Sequence, residues 1–267
     1  MWPFCVSAVR SGFRSRAILL ILVLGVALVG VAYLASSFSP RQPRTVTLDV
    51  GFSGIRLSLV LLAVFWVQEL IGREVERRTV LYALAYPLSR TEYIVGRYLG
   101  IAFLLAVAAA GLGALLWCSV WTSGGEYQQS YGVSLGFPYL ISVVGLWLDA
   151  LVVAAFTVWI ASLSTVAMLP VALGAMFAIA GKGFGALLDY LARGADGDTD
   201  LSGRFGPIAE AIKFVLPDLS RLDFRTWSMY GVAPPADALW LALGLAVGYV
   251  LILISLAALS FSRREFF

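Results

Sequence analysis

Long apolar runs separated by short polar segments dominate this chain. Six of the runs approach or reach the roughly 17–25 residues that an α-helix needs to cross a bilayer. We predict spanning helices over residues 17–37, 53–71, 98–121, 139–162, 165–187 and 238–261. Apolar and polar positions do not alternate, as they would in a transmembrane β-barrel. The pattern therefore predicts an all-α membrane protein with six transmembrane helices, forming a single domain over residues 1–267.

The composition agrees with this interpretation and narrows the function. Of the 267 residues, 60% are apolar and 13% are charged, whereas a soluble domain is about 45–50% apolar and about 25% charged. The net charge of +3 gives no reason to expect a nucleic-acid partner, and membrane lipid is the expected surrounding. The chain contains no histidine, which excludes histidine-assisted catalysis and histidine-ligated metal centres.

The distribution of arginine predicts the orientation. Arg10, Arg14 and Arg16 precede the first apolar run, and further arginines flank the second, third and last runs. Because basic residues concentrate in cytoplasmic loops, both termini are predicted to be cytoplasmic. The segment 189–237 would then be external, with a re-entrant or interfacial helix before the sixth span and with Trp227 and Tyr230 as interfacial anchors.

The predicted cytoplasmic connection between the second and third spans has its own helical pattern. Residues 73–86 form an amphipathic stretch in which Val75, Thr79 and Tyr82 share one face. Pro87 ends the predicted helix, and Ser89 or Thr91 is suited to cap the next one. A helix that lies on the membrane face and is joined to two spans is suited to transmit a push from a soluble partner.

The residues of this connection resemble a known family signature. The run Gly72-Arg-Glu-x-Glu-x-x-Thr79, followed by Pro87-Leu-Ser-Arg90 and by Gly96-Arg97, resembles that of ABC-2 type transporter permeases. The resemblance implies a translocating subunit of the bacterial inner membrane that pairs with a second copy of itself and docks two ABC ATP-binding subunits. It implies export of a hydrophobic or amphipathic cargo, with ATP and Mg²⁺ bound by the partner.

The sequence also lacks an ATP site of its own. A P-loop requires G-x-x-x-x-G-K-[ST], and the nearest run, Gly181-Lys-Gly183, has neither the upstream glycine nor the hydroxyl residue. We therefore expect no cofactor and no catalytic residue in this chain. ATP hydrolysis would take place in a separate subunit.

The resemblance implies that the coupling helix, residues 73–86, contacts the ATP-binding subunit. The candidate docking residues are Arg73, Glu74, Glu76, Arg77, Arg78, Thr79 and Leu84. The alternative is a solvated helix face whose charges pair within the helix, as Glu74 and Arg78 would at i, i+4 spacing.

A second group of candidates lies in the spans and could belong to a transport path. Trp66, Gln68 and Glu69 stand near the inner end of the second span, where they would line a cytoplasmic entrance or begin the coupling helix. Asp149 falls near the middle of the fourth span, where a carboxylate needs a partner. Its role is either in the path, including proton coupling, or in fixing helix packing. Arg56 and Lys182 are expected to extend toward the outer surface.

Two other functional classes remain to be weighed. An intramembrane enzyme would need a nucleophile with a base, or a metal set, and the spans offer only the isolated carboxylates Glu69 and Asp149. The acidic run 196–200 lacks the glycine and the final glutamate of a calcium loop, so no metal is expected. A non-transporting membrane anchor or assembly subunit of another complex is the remaining alternative.

Overall fold

The computed structural model of the protein describes residues 2–39, 41–76, 89–123, 132–164, 166, 168–193 and 218–263. The described part is helical, without strands. Its helices in chain order are α1 (Trp2–Gly12), α2 (Arg16–Ser37), α3 (Pro43–Val67), α4 (Arg73–Glu76), α5 (Arg90–Thr122), α6 (Phe137–Leu163), α7 (Leu169–Arg193), α8 (Arg225–Tyr230) and α9 (Ala236–Ser262). A π-helix (Gln68–Gly72) joins α3 to α4, and a 3₁₀-helix (Leu219–Leu222) precedes α8.

The predicted all-α membrane architecture is confirmed, and the number of spans is only partly tested. Among the described residues, 4 helices are long and apolar enough to cross a bilayer, namely Pro43–Val75, α5, α6 and α9. The apolar stretches within α2 and α7 are shorter, at Ile21–Ser37 and Leu169–Gly183. Each of the six predicted runs coincides with a helix, and the crossing by α2 and α7 stays a prediction.

Helices α3 and α6 form the centre of the bundle. Helix α3 packs against α2, α5, α6 and α7, and helix α6 packs against α3, α5, α7 and α9. Small residues permit close helix approach: a Cβ atom at Gly54 would lie 2.9 Å from Leu28 Cβ, so α2 packs close to the backbone of α3. Helix α9 is the most exposed of the four long helices.

Two helix boundaries differ from the sequence prediction. The second span was predicted to begin at residue 53, but α3 begins at Pro43 because its polar side chains find partners. Thr47 Oγ1, for example, donates to Pro43 O at 2.9 Å within the same helix. Helix α5 begins at Arg90, directly after the predicted cap. Ser89 Oγ accepts from the Glu92 N–H at 3.2 Å, and the Glu92 carboxylate accepts from the Ser89 N–H at 3.1 Å.

The segment before α9 enters the helix bundle. Leu219, Leu222 and Phe224 are buried with Val152 and Phe177 in one apolar cluster. Trp227 packs edge-to-face on Phe137 with ring centroids 5.8 Å apart. This part of the predicted external segment is therefore inserted among α3, α6 and α7, whereas residues 194–217 lie outside the described residues.

Candidate functional site

The predicted coupling helix begins as a direct continuation of α3. The π-helix Gln68–Gly72 leads into α4 without a break, and Arg73 N donates to Gln68 O. A wider turn of this kind inside a helix is common at functional sites. Gly72 lies against the amide end of the Gln68 side chain, which would have to move if residue 72 carried a Cβ atom. Helix α4 is thus joined to α3 without a break in the helical backbone.

Glu74 is held inside the chain by two side chains of α5. Arg97 Nη2 donates to Glu74 Oε1, and Tyr93 Oη donates to Glu74 Oε2 at 2.7 Å. The Arg97 side chain is 5% exposed, so this charge-assisted pair is shielded from solvent on the arginine side. Glu74 therefore joins α4 to α5, and both of its carboxylate oxygens accept hydrogen bonds from α5; its predicted docking role stays a prediction.

Tyr93 and Arg97 of α5 also contact the first and last helices, α1 and α9. Tyr93 stacks on Phe261 of α9 with ring centroids 5.5 Å apart, and Phe4 of α1 meets Tyr93 edge-on at 5.3 Å. Arg97 Nη1 also donates to Ser7 Oγ at 3.4 Å. We call Phe4, Glu74, Tyr93, Arg97 and Phe261 the connector cluster. It makes one packed unit of α1, α4, α5 and α9.

The other residues predicted near this end have different surroundings. Glu69 pairs with Arg73 at 2.6 Å on a partly exposed helix face. Trp66 and Gln68 are buried, and in the described part of the chain neither Trp66 Nε1 nor Gln68 Oε1 has a hydrogen-bond partner. Whether Trp66, Gln68 and Glu69 line a transport path stays a prediction.

Most of the predicted docking residues cannot be placed. The side chain of Glu76 and the whole of Arg77, Arg78, Thr79 and Leu84 lie outside the described residues. Arg73 is half-exposed. The docking role of residues 73–86 therefore stays a prediction.

Asp149 has the partner that its position requires, and that partner is Arg56. Arg56 Nε donates to Asp149 Oδ2 at 2.5 Å, and Arg56 Nη2 donates to Ala178 O at 3.3 Å. The Asp149 side chain is 3% exposed. The prediction that Arg56 extends to the outer surface is wrong, because pairing with a buried carboxylate is favoured over leaving that carboxylate alone.

A second set of ion pairs continues toward the far end of the bundle. Lys182 Nζ lies 2.6 Å from Asp223 Oδ2, and Arg225 bridges Asp223 Oδ1 at 2.7 Å and Asp49 Oδ1 at 2.8 Å. Lys182 is 31% exposed and pairs with a residue of the predicted external segment, so its extension toward the outer surface stays a prediction. Ala178 and Lys182 are one helical turn apart on α7, so the two sets are neighbours. Together these residues form the ionic network, which ties α3, α6 and α7 to the inserted segment.

The charges around Asp223 set its ionisation. Burial acts to raise the pKa of Asp223, but the hydrogen bonds and charges of Arg225 and Lys182 outweigh burial and hold this pKa below its usual range. For Arg225, burial acts to lower the pKa, and Asp223 and Asp49 together raise it above its usual value. Both groups are therefore charged at neutral pH.

Low pH should lower the stability of the folded protein, because Asp223 becomes protonated. A carboxyl whose pKa is depressed by folding contributes stability that is complete above its unfolded pKa, about 3.9, and is lost as the pH falls through the folded value. We expect the thermal unfolding midpoint of the detergent-solubilised protein to fall below about pH 4, and to fall less steeply in Asp223→Asn. Parallel pH profiles for the two proteins would contradict the assignment.

Long apolar helices around a buried ion pair define a multi-pass, all-helical membrane protein. Residues 8–266 match the family model described as ABC-2 family transporter protein, and the chain belongs to that family. It is thus a permease component of an ABC transporter, which confirms the resemblance seen in the sequence. No curated protein matches the chain.

Sequence reasoning missed several residues that build these two groups. It did not assign a partner to Asp149, did not predict α1 and did not foresee that Tyr93 and Arg97 would hold Glu74. A signal was present for the first of these: Arg56 and Lys182 are the basic residues within the six predicted spans. One of them had to lie near Asp149 if the carboxylate was to be paired.

Proposed function

We propose that this chain is the membrane-spanning half of an ABC exporter that works as a homodimer with two ATP-binding subunits. The partner subunits would bind ATP and Mg²⁺, and the cargo would be hydrophobic or amphipathic. The membrane would be the bacterial inner membrane, with six spans and both termini in the cytoplasm. The observation that carries the proposal is the link from Glu74 to Arg97, because it connects the start of the coupling helix to both flanking spans.

The contacts of the connector cluster support a mechanism in which the coupling helix acts as a lever on α3 and α5. A force applied to residues 73–86 would reach α3 through the π-helix and would reach α5 through Glu74. Both helices also pack against α6, so their tilt would change the packing of the centre of the bundle. Closure of the ATP-binding subunits could in this way switch the side to which a cavity between two copies opens.

The charge distribution supports a cytoplasmic position for the connector cluster. Arg73, Arg90 and Arg97 lie at that end of the bundle, with Arg10 of α1. Asp49 and Asp223 lie toward the other end, where Arg225 and Lys182 pair with them. Basic residues favour the cytoplasmic side. The chain termini meet at the same end, since Phe4 and Phe261 both contact Tyr93.

Copurification with an ATP-binding subunit tests the proposed partnership. We expect a tagged chain to retain that subunit, and we expect the double variant Arg77→Glu, Arg78→Glu to lose most of it through like-charge repulsion and lost pairing. The matched control is Arg41→Glu, Arg44→Glu, which makes the same change of charge at the opposite end of the bundle. Arg41 precedes α3, and Arg44 lies in its first turn. A stable chain that never retains such a subunit would favour an anchor or assembly role instead.

A further inference from the structure

One face of the N-terminal helix α1 packs against the bundle, and another face, called here the open face, is exposed. Phe4, Ala8 and Gly12 are buried, and a Cβ atom at Gly100 of α5 would lie 2.6 Å from Ala8 Cβ. The open face carries a shallow groove that runs the length of the helix. Its lining is Trp2, Pro3, Val6, Ser7, Arg10, Ser11 and Arg14.

The groove has an unbalanced positive charge. Arg10 and Arg14 are exposed, and within the described part of the chain no carboxylate pairs with either guanidinium. The first acidic residue of the whole chain is Asp49. The hydroxyl groups of Ser7 and Ser11 lie in the same groove. The groove thus offers two guanidinium groups with hydroxyl donors beside them, which is the chemistry that recognises a phosphate.

The position of the two arginines favours a membrane lipid as the source of that phosphate. Helix α1 ends at Gly12 and α2 begins at Arg16, so Arg14 lies in the short link directly before an apolar helix. Phe13, which precedes Arg14 in this link, is 55% exposed. A basic cluster next to an exposed aromatic ring at the start of an apolar helix matches the boundary between headgroups and acyl chains.

We infer that the open face of α1 binds the phosphate of an anionic phospholipid in the leaflet at this end of the bundle. Arg10 and Arg14 hold the phosphate, the serine hydroxyls assist, and Phe13 contacts the upper acyl chain. Because α1 also packs on Tyr93 and Arg97 through Phe4 and Ser7, lipid binding would steady the connector cluster. Such a lipid site on α1 is independent of the identity of the cargo.

Native mass spectrometry of the full-length protein tests this site. Phosphatidylglycerol and phosphatidylcholine are titrated in parallel into the detergent-solubilised chain, and retained lipid is counted. We expect the wild-type chain to prefer phosphatidylglycerol over phosphatidylcholine. This preference should fall about fivefold in the single variant Arg10→Gln and by about fivefold more in the double variant Arg10→Gln, Arg14→Gln. The control Arg41→Gln, Arg44→Gln, with the same loss of charge outside α1, should keep the preference.

Three results would overturn the inference. The first is an equal preference in the wild-type protein and the Arg10→Gln, Arg14→Gln variant. The second is that glycerol phosphate, which has the headgroup without acyl chains, binds as tightly as the lipid. The third is that the variant keeps its phosphatidylglycerol and loses a copurifying ATP-binding subunit, since the groove would then be a protein contact. A matching thermal unfolding midpoint of the variant without lipid shows that its fold is intact.

Discussion

Replacing Arg56 with methionine is expected to lower the free energy of unfolding by about 3 kcal/mol. The substitution keeps an unbranched apolar stem but removes the guanidinium, so the Asp149 carboxylate is left buried without its arginine partner. Asp149 Oδ1 has no hydrogen-bond partner among the described residues, so the substitution removes the one side-chain hydrogen bond that these residues give Asp149. Unfolding in mixed micelles, followed by far-ultraviolet circular dichroism as the denaturing detergent is increased, measures the change.

The double variant Arg56→Met, Asp149→Leu should regain most of this stability, because no uncompensated charge remains. Lys182→Met is a matched control: it removes a cation from the adjacent pair, but Asp223 keeps its bond to Arg225, and a cost of only about 1 kcal/mol is expected. If Arg56→Met costs no more than the double variant, Arg56 and Asp149 are not a functional pair in the folded protein.

The same double variant separates the two roles left open for Asp149. If Asp149 only fixes helix packing, the double variant should be stable and should still move cargo in reconstituted vesicles. If Asp149 belongs to the transport path, the double variant should be stable and inactive. Stability and transport are measured on the same preparation, so a folding defect is not mistaken for a transport defect.

The apolar pattern predicts the helices well and their polar ends poorly. Residues 43–52 contain Thr45, Thr47 and Asp49, which a hydropathy scale assigns to water. In the structure Thr45 and Thr47 are buried, Thr47 Oγ1 bonds to its own helix, and Asp49 pairs with Arg225. The helix therefore continues where the scale ends it, because hydropathy counts polar atoms without knowing whether they are paired.

Helix α1 was not predicted from the sequence, and the reason is different. Its 11 residues are too few for a search for spans, although Phe4, Ala8 and Gly12 repeat every four residues in the manner of a packed helix face. The arginines at 10 and 14 were used for orientation alone. The amphipathic pattern was readable in the sequence, but it was masked by the longer apolar run that follows.

The orientation of Glu74 could not be predicted from the sequence. Glu74 and Glu76 both lie on the polar part of an amphipathic pattern, and only the approach of α5 turns Glu74 toward Arg97 and Tyr93. That approach depends on contacts between residues far apart in the chain. Local periodicity predicts which face of a helix is polar, and it carries no information about which polar side chain meets a neighbouring helix.

Glu74→Ala is expected to reduce cargo-dependent ATP turnover about tenfold or more in the reconstituted transporter, while the ATP-binding subunit still copurifies. The alanine removes the link between α4 and α5 and leaves Arg97 buried without its counter-charge, which costs about 2–5 kcal/mol in comparable pairs. Movement of the coupling helix would then reach α3 alone. Glu74→Gln keeps one acceptor oxygen and should show a smaller loss.

Hydrogen exchange distinguishes a lost link from a lost docking contact. In Glu74→Ala the amides of α4 and of the first turns of α5 should exchange faster, because the connector cluster opens locally. Glu69→Ala serves as the control, since its pair with Arg73 lies within one continuous helical segment and joins no second helix; its exchange should match that of the wild-type protein. If Glu74→Ala leaves exchange unchanged and instead releases the ATP-binding subunit, Glu74 is a docking residue and the proposed lever loses its connection to α5.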